Sequence, residues 1–547
     1  MAQLPSFPSD GPTDALPETA RLDTVPGNPA SALDGLYLVD GRLERATSTQ
    51  PVTSPIGRFS GSTFERTIIG HAPALTTDES LVALTAAEQA WQDGRGAWPS
   101  ARTQERVEAM EAFVEEMVLQ RELCVRLLEW EIGKTRKDAE TEFDRTVVYT
   151  RDTIEAVKEL DRQCSRFSSD EGFLAQIRRA PLGITLAMGP FNYPLNETFT
   201  TLIPALIMGN PIIAKLPRYG GLTMTALLPA FSRCFPRGAV NVVQGDGATV
   251  VGPMMTSGKI DCLAFIGTSR VANILKRQHP RPNRLRSITG LEAKNPAVVL
   301  ADADLDLAVK ECTAGALTFN GQRCTALKLI FVERPIADAF VERLAASVDA
   351  LQAGMPWDQG AQLTPLPEEG KTETLARFVE DAVQKGARVV NASGQGGQSL
   401  GSFFRPAVLY PIQPSMQLYT AEQFGPIVPV VPFDSLAEID AFMQDSPYGQ
   451  QVALFSRDPG RTAELIDALC NQVCRINLNT QCRRGPDTFP FTGRKDSAEG
   501  TLSVTDALRC FSIRTLVATT TSDENKELVS GIVSGRRSRF LSTDYLL

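Results

Sequence analysis

The sequence predicts an α/β fold of two Rossmann-like, doubly wound units carrying a small β element, and three observations lead there. From residue 184 onward, short apolar runs alternate with helical or Gly/Pro-rich segments: 184–188, 211–214, 239–243 and 262–266. A second series of the same kind follows at 297–300, 327–332, 387–390 and 427–431. Strands alternating with helices imply parallel pairing with helices on both faces of the sheet. The length of 547 residues is ample for large buried cores, and the two series meet near residue 295.

In chain order, residues 1–65 are rich in Pro, Ser, Thr and Gly, and are expected to form an N-terminal extension lying over the surface or disordered. Residues 66–164 and 184–294 are expected to form one unit and 295–500 the other. Within the first, 78–158 reads as helical. Val107, Met110, Phe113, Val114 and Met117 recur at three- and four-residue spacing, a stripe that packs a core. Segments 165–183 and 501–518 are left for the small β element. The tail 519–547 turns polar, with Arg536, Arg537 and Arg539 close together, as in a solvated tail or a subunit contact.

Composition narrows the function. A net charge of −9 argues against nucleic acid or an anionic membrane as partner, though local arginines can still hold a small anion. The first residues lack a basic start and an apolar core, so no signal peptide is expected. No apolar run approaches the roughly 18 residues of a membrane helix. Ten cysteines without metal-ligand spacing suit free thiols in a reducing cytoplasm; Cys470 and Cys474, four apart on an expected helix, have no matching second pair. With His71 and His279 the only histidines, no metal site is expected, and catalysis is expected to run on Cys, carboxylates, amides and a cofactor.

The chemistry centres on Phe319-Asn320-Gly321-Gln322-Arg323-Cys324-Thr325-Ala326. A thiol attacks as its thiolate, and a neighbouring cation such as Arg323 is expected to favour that form. This stretch resembles the active-site signature of the aldehyde dehydrogenase superfamily, and the resemblance extends over roughly residues 66–518. The segment P-F-N-Y-P at 190–194 is similar to the family's oxyanion-hole segment, which implies Asn192 and the Cys324 backbone N–H as donors. E-Q-F-G-P at 422–426 resembles the motif whose Glu holds the nicotinamide ribose, implying Glu422 and Phe424 on the cofactor. Phe489 to Lys495 resembles a loop near the site. The run I-I-A-K-L-P-R implies Lys215 on the adenosine ribose. Arg218 stands where NAD-preferring members often carry Glu, so it either pairs with a 2′-phosphate or is a solvated surface charge. The resemblance thus implies NADP, with NAD as the alternative cofactor. Gly267 and Thr268 open the pyrophosphate turn, while Ala272 replaces its usual second glycine.

One departure touches the chemistry. Where the family has L-E-L-G-G-K, this chain reads T-G-L-E-A-K at 289–294, which puts Gly290 at the general-base position. Hydrolysis of a thioester needs a group that activates water. Glu292 is expected to supply it from a reshaped loop; otherwise Glu292 is structural and the thioester is resolved some other way. Within the superfamily the chain resembles the NADP-dependent, non-phosphorylating glyceraldehyde-3-phosphate dehydrogenases. The further matches are D-R-T at 144–146 and R-G-P-D-T-F-P-F at 484–491. These imply that Arg145, Tyr193, Arg323 and Arg484 hold a substrate phosphate, with Arg483 able to replace Arg484. The implied reaction oxidises glyceraldehyde 3-phosphate to 3-phosphoglycerate through a thioester. The rivals are a semialdehyde dehydrogenase and a catalytically silent, nucleotide-binding paralogue. Residues 508–517 resemble the family's oligomerisation strand, with 167–179 as its partner, which implies a homodimer or homotetramer.

Overall fold

The computed structural model describes residues 33–545. The reading of the first 32 residues, including the signal-peptide argument, lies outside the described residues, as do Leu546 and Leu547.

Two sheets carry the molecule. The first holds five parallel strands in the spatial order Val240–Val243, Ile212–Lys215, Thr185–Met188, Cys262–Ile266 and Arg286–Gly290. The second runs Ala407–Tyr410, Ile427–Phe433, Leu329–Glu333, Pro296–Val299, Gln451–Phe455 and Arg475–Leu478, all parallel, with Arg388–Val389 antiparallel at its edge. Their strands are short runs of Val, Ile, Leu and Ala buried on both faces, as expected where helices cover both sides. The region 78–158 is largely helical: the stripe Val107 to Met117 lies on the buried face of Thr103–Val118, which is followed by Arg121–Ile132 and the long Arg136–Gln163.

The expected extension is corrected over its described part. Leu36–Val39 and Arg42–Arg45 extend the first sheet, Leu38 pairing with Val242. The hairpin Thr49–Ser60/Thr63–Pro73 reaches across to the other unit: Ile56 packs with Trp130, Met355, Leu363 and Phe403. Arg66 there donates to the carbonyls of Pro367, Leu366 and Glu368 at 2.6, 3.1 and 3.2 Å. These strands form two local hairpins, in a stretch rich in Pro, Ser, Thr and Gly, whose anchors on the body lie far along the chain, so their local composition reads as loop. Likewise Ala498–Glu499, placed by sequence in the second unit, returns to the edge strand Arg286–Gly290 of the first sheet.

Ser512–Thr520 pairs antiparallel with Phe173–Pro181, which pairs with Phe167–Asp170. This three-stranded sheet joins the two segments assigned from sequence to the small β element. The tail continues into the exposed helix Asp523–Ser534 and then folds back. Asp161 accepts from the backbone N–H groups of Asp544 and Tyr545 at 2.8 and 3.1 Å and pairs with Arg178. The last described residues are therefore docked on the body rather than solvated. Cys470 and Cys474 are not on a helix: Pro459–Leu469 ends just before them. Among the described residues, no helix is long and apolar enough to cross a membrane.

Candidate active site

A cavity of about 660 Å³ lies between the C-terminal ends of the first sheet's strands, at 266–268 and 290–292, and the segments that lead into the second sheet's strands, at 323–325, 421–424 and 448. It gathers Arg145, Asn192, Tyr193, Gly267, Thr268, Glu292, Arg323, Cys324, Glu422, Phe424 and Arg484, which are eleven of the thirteen residues singled out from sequence. Lys215 and Arg218 are not in its lining. A larger cleft of about 1090 Å³ lies elsewhere, around Thr135–Glu140 and Pro356–Gln362, and contains none of these groups.

Cys324 is delivered by a sharp turn. Phe319, Asn320 and Gly321 all have positive φ, at 50, 53 and 71°. A Cβ on Gly321 would lie 2.7 Å from the carbonyl oxygens of Ala316 and Gly425, so no side chain fits there. Two non-glycine residues in left-handed backbone cost on the order of 1–3 kcal/mol each and persist only when surroundings dictate them. Asn320 supplies that restraint: its Nδ2 donates to Thr364 O and Oγ1, both at 3.0 Å, and its Oδ1 accepts from Thr364 N at 3.1 Å. On the far side of the thiol, Asn295 Nδ2 donates to Cys324 O at 2.7 Å.

The expected activation by Arg323 is corrected. Arg323 turns away and donates to the carbonyls of Ala314 and Gly315 at 3.3 and 2.8 Å, where the helix Leu305–Leu317 ends. Burial, reinforced by the carboxylates of Glu197 and Glu422, pushes the Cys324 thiol up to about 11, against opposing effects of Arg484 and Gln450. Adjacency in sequence is not adjacency of charge. In this state the nucleophile is a protonated thiol.

Asn192 is buried and donates one amide N–H to Gln322 O at 2.7 Å, which ties the oxyanion segment to the cysteine turn. Behind it stands a buried ion pair of Lys134 and Glu142. Glu142 accepts from Leu195 N and Asn196 N at 3.0 and 3.1 Å, at the start of the helix Asn196–Ile207. The Lys134 ammonium sits 3.4 Å from the centre of the Tyr193 ring. Sequence reading missed this pair, because a lone Lys near helical segments gives no sign of burial.

The arginines arrive already partnered. Arg145 binds Asp487 through two hydrogen bonds of 2.8 and 2.6 Å. Arg484 pairs with Glu197 and lies 3.4 Å from Asp487, while its Nη2 donates to Leu502 O at 3.2 Å. Burial works against charge on Arg145 and on Asp487, but their mutual bonds prevail: Arg145 is raised and Asp487 lowered from their ordinary values. Asp487 and Glu197 thus already neutralise the two arginines expected to hold a substrate phosphate. Asp487 lay inside a quoted motif without a part to play, and Glu197 had drawn no attention. Arg483, half exposed, reaches Glu311 at 3.7 Å.

On the opposite wall, Glu422 has an Oε1 with no hydrogen bond, although Lys328 is 3.4 Å away. Burial raises the Glu422 carboxyl despite Lys328, and burial lowers Lys328 to about 8. Phe424 is held edge-on to Phe191, with ring centres 5.9 Å apart. A Cβ on Gly267 would strike the Phe265 ring at 2.4 Å, so the chain turns tightly there into the helix Ser269–Gln278, which Thr268 caps. Glu292 Oε2 accepts from Ser269 N at 2.7 Å, so its carboxylate rests on the first turn of that helix. Lys215 ends its strand, and burial lowers its pKa. Arg218 is largely exposed, 3.3 Å from Glu369. Among the described residues, no cluster of His, Cys, Asp and Glu could hold a metal ion.

Comparison with known proteins adds the following. The aldehyde dehydrogenase family profile matches residues 60–517. The NADP-dependent glyceraldehyde-3-phosphate dehydrogenase of Streptococcus equinus is 31% identical over 442 residues, covering 80% of this chain and 90% of the relative. That of Nicotiana plumbaginifolia is 32% identical over 389 residues, covering 69% and 75%. The crystal structure of the NADP-dependent glyceraldehyde-3-phosphate dehydrogenase from Bacillus halodurans C-125 complexed with NADP superimposes with a TM-score of 0.81 at 26% identity. It covers 89% of this chain and 100% of that one.

Proposed function

This chain belongs to the aldehyde dehydrogenase family, and from that premise we propose that it oxidises glyceraldehyde 3-phosphate to 3-phosphoglycerate with NADP, without inorganic phosphate. The observation that carries the reading is one cavity lined by Cys324, Asn192 and the four arginines Arg145, Arg323, Arg483 and Arg484. Relatives named for this activity support it.

The cofactor wall fits a dinucleotide. Glu422 offers a buried oxygen without a hydrogen bond, suited to a ribose hydroxyl, and the Gly267–Thr268 turn leads into a helix N-terminus suited to a pyrophosphate. Lys215 and Arg218 would serve the adenosine end, Arg218 by charge on a 2′-phosphate. When bound, NADP supplies the hydride acceptor. The chain's own residues do the rest. Cys324 Sγ adds to the aldehyde carbon, Asn192 and the Cys324 N–H stabilise the resulting oxyanion, and oxidation leaves a thioester on Cys324. Tyr193 and the arginines orient the phosphate. Water then cleaves the C–S bond, with Glu292, once off the Ser269 N–H, or another carboxylate of the cavity as base. A cytoplasmic site of action accords with ten cysteines that are all free. Assembly into a dimer or tetramer through Ser512–Thr520 completes the reading.

A second reading has one observation in its favour. Arg145 and Arg484 already face carboxylates, so the charge left over also suits the single charge of a semialdehyde carboxylate. The decisive experiment is reduced-cofactor formation in phosphate-free buffer, comparing glyceraldehyde 3-phosphate with a carboxylate-bearing semialdehyde, each with NADP and NAD. Sustained turnover of the phosphorylated aldehyde with NADP supports the proposal. Preference for the semialdehyde replaces it, and no reduction with either leaves a nucleotide-binding protein.

A further inference from the structure

The hydrolytic step lacks an evident base, and the cavity holds a carboxylate that no role has claimed. Gly290, at the end of its strand, presents no side chain. A Cβ built there would meet only Ile266 Cγ1 and Leu502 Cδ1, both at 3.5 Å, and Ile266 Cγ2 at 3.9 Å. The unclaimed carboxylate is Glu197, on the first turn of the helix Asn196–Ile207, five residues after Asn192. Its carboxylate is nearly buried, lines the same cavity as Cys324, and is bound to Arg484. Among charged groups, Glu197 acts most strongly on the Cys324 thiol, ahead of Glu422. Glu292, in contrast, rests on Ser269 N at 2.7 Å.

We propose that Glu197 is the general base of thioester hydrolysis, and that the substrate phosphate frees it by taking Arg484 as its own partner. The inference rests on the phosphorylated-aldehyde reading above. Bound to Arg484, the carboxylate has its oxygen engaged by the guanidinium instead of by water. A phosphate dianion competes for the same guanidinium, and the exchange leaves Glu197 unpaired beside the thioester. Water then adds to the acyl carbon, giving its proton to Glu197. The new C–O bond forms, the C–S bond breaks, and Cys324 departs as thiolate. No electrons are transferred in this step. Substrate choice would follow: an aldehyde lacking the anion acylates Cys324 but leaves the base locked.

The test is a burst experiment on the full chain with NADP. Wild-type turnover of glyceraldehyde 3-phosphate checks the substrate reading first, and its failure is a failure of that reading alone. Glu197→Gln should then give one equivalent of reduced cofactor per site, followed by turnover slower by about 10²–10⁴-fold. Intact-mass measurement should show the acyl group retained on the protein. Glu292→Gln is the comparison, and the acyl group should persist longer on the protein in Glu197→Gln than in Glu292→Gln. Undiminished turnover in Glu197→Gln, or arrest in Glu292→Gln alone, overturns the proposal. Should Glu197→Gln show no burst, the wild-type protein decides. With unphosphorylated glyceraldehyde, added phosphite dianion should accelerate steady-state turnover, and no acceleration overturns the proposal.

Discussion

The two walls of the cavity are built on opposite principles. On the substrate wall the guanidiniums are already engaged: Arg145 by Asp487, Arg484 by Glu197 and Asp487, Arg323 by two carbonyls, with the buried Arg323 Nε left without a hydrogen bond. On the cofactor wall a buried carboxylate oxygen of Glu422 is left without a hydrogen bond. A paired wall can bind an anion only by exchanging partners, so its affinity is a difference between two strong interactions. A new bond to that Glu422 oxygen displaces no hydrogen bond, only adding to its 3.4 Å contact with Lys328. Specificity for the substrate's charge is therefore expected to show in catalysis, and cofactor preference in binding.

The harshest break in this contrast is removal of the nucleophile. Cys324→Ser should lower cofactor reduction by at least about 10⁴-fold while leaving NADP binding, read by fluorescence titration, intact. Asn192→Ala should cost about 10²–10³-fold in kcat, with little change in KM, since its amide matters only once the oxyanion forms. Arg145→Ala tests the paired wall. It strands Asp487, and should raise KM for glyceraldehyde 3-phosphate by about 10–100-fold while leaving KM for NADP unchanged. The mildest change is Arg218→Ala, at an exposed position. It should reduce the preference for NADP over NAD by about 10-fold, measured as a ratio of kcat/KM, and an unaltered ratio would remove Arg218 from cofactor choice. Proton linkage sharpens the picture further. With the Cys324 thiol near 11 in the ligand-free state, alkylation by iodoacetamide should rise about tenfold per pH unit from 7 to 10. A plateau below pH 8 would contradict the burial described.

Much of the parallel architecture was legible because its strands are apolar runs between turn residues. The run 262–266 is Cys262–Ile266 in the structure, and the other interior strands shift by a residue or two. What escaped was whatever depends on distant pairing. Leu36–Val39 pairs locally with Arg42–Arg45, but it joins the first sheet through Leu38 and Val242, a partner some 200 residues on that no local window contains. The site divides in the same way. Residues Cys324, Asn192 and Glu422 are marked by motifs and fall in one cavity. The direction of Arg323 is set by the carbonyls at the end of a helix, and nothing in R-C-T-A announces it. Glu197 reads as an ordinary acidic residue in the first turn of a helix, where an N-terminal dipole favours it. Only its contact with Arg484 gives it another meaning.

The hairpin Thr49–Pro73 has a bearing on how the chain is made as well as on its final form. Arg66 bonds to Pro367, 301 residues later. At about 5–20 residues per second, the hairpin waits roughly 15–60 s after its own synthesis for the carbonyls it will bind. Through that interval its Ile56, Phe59 and Phe64 lack the partners that bury them, Phe403 among them. The ribosome-bound chain therefore carries an apolar ribbon early, and the two lobes are laced together by their oldest segment only when nearly three quarters of the protein has emerged.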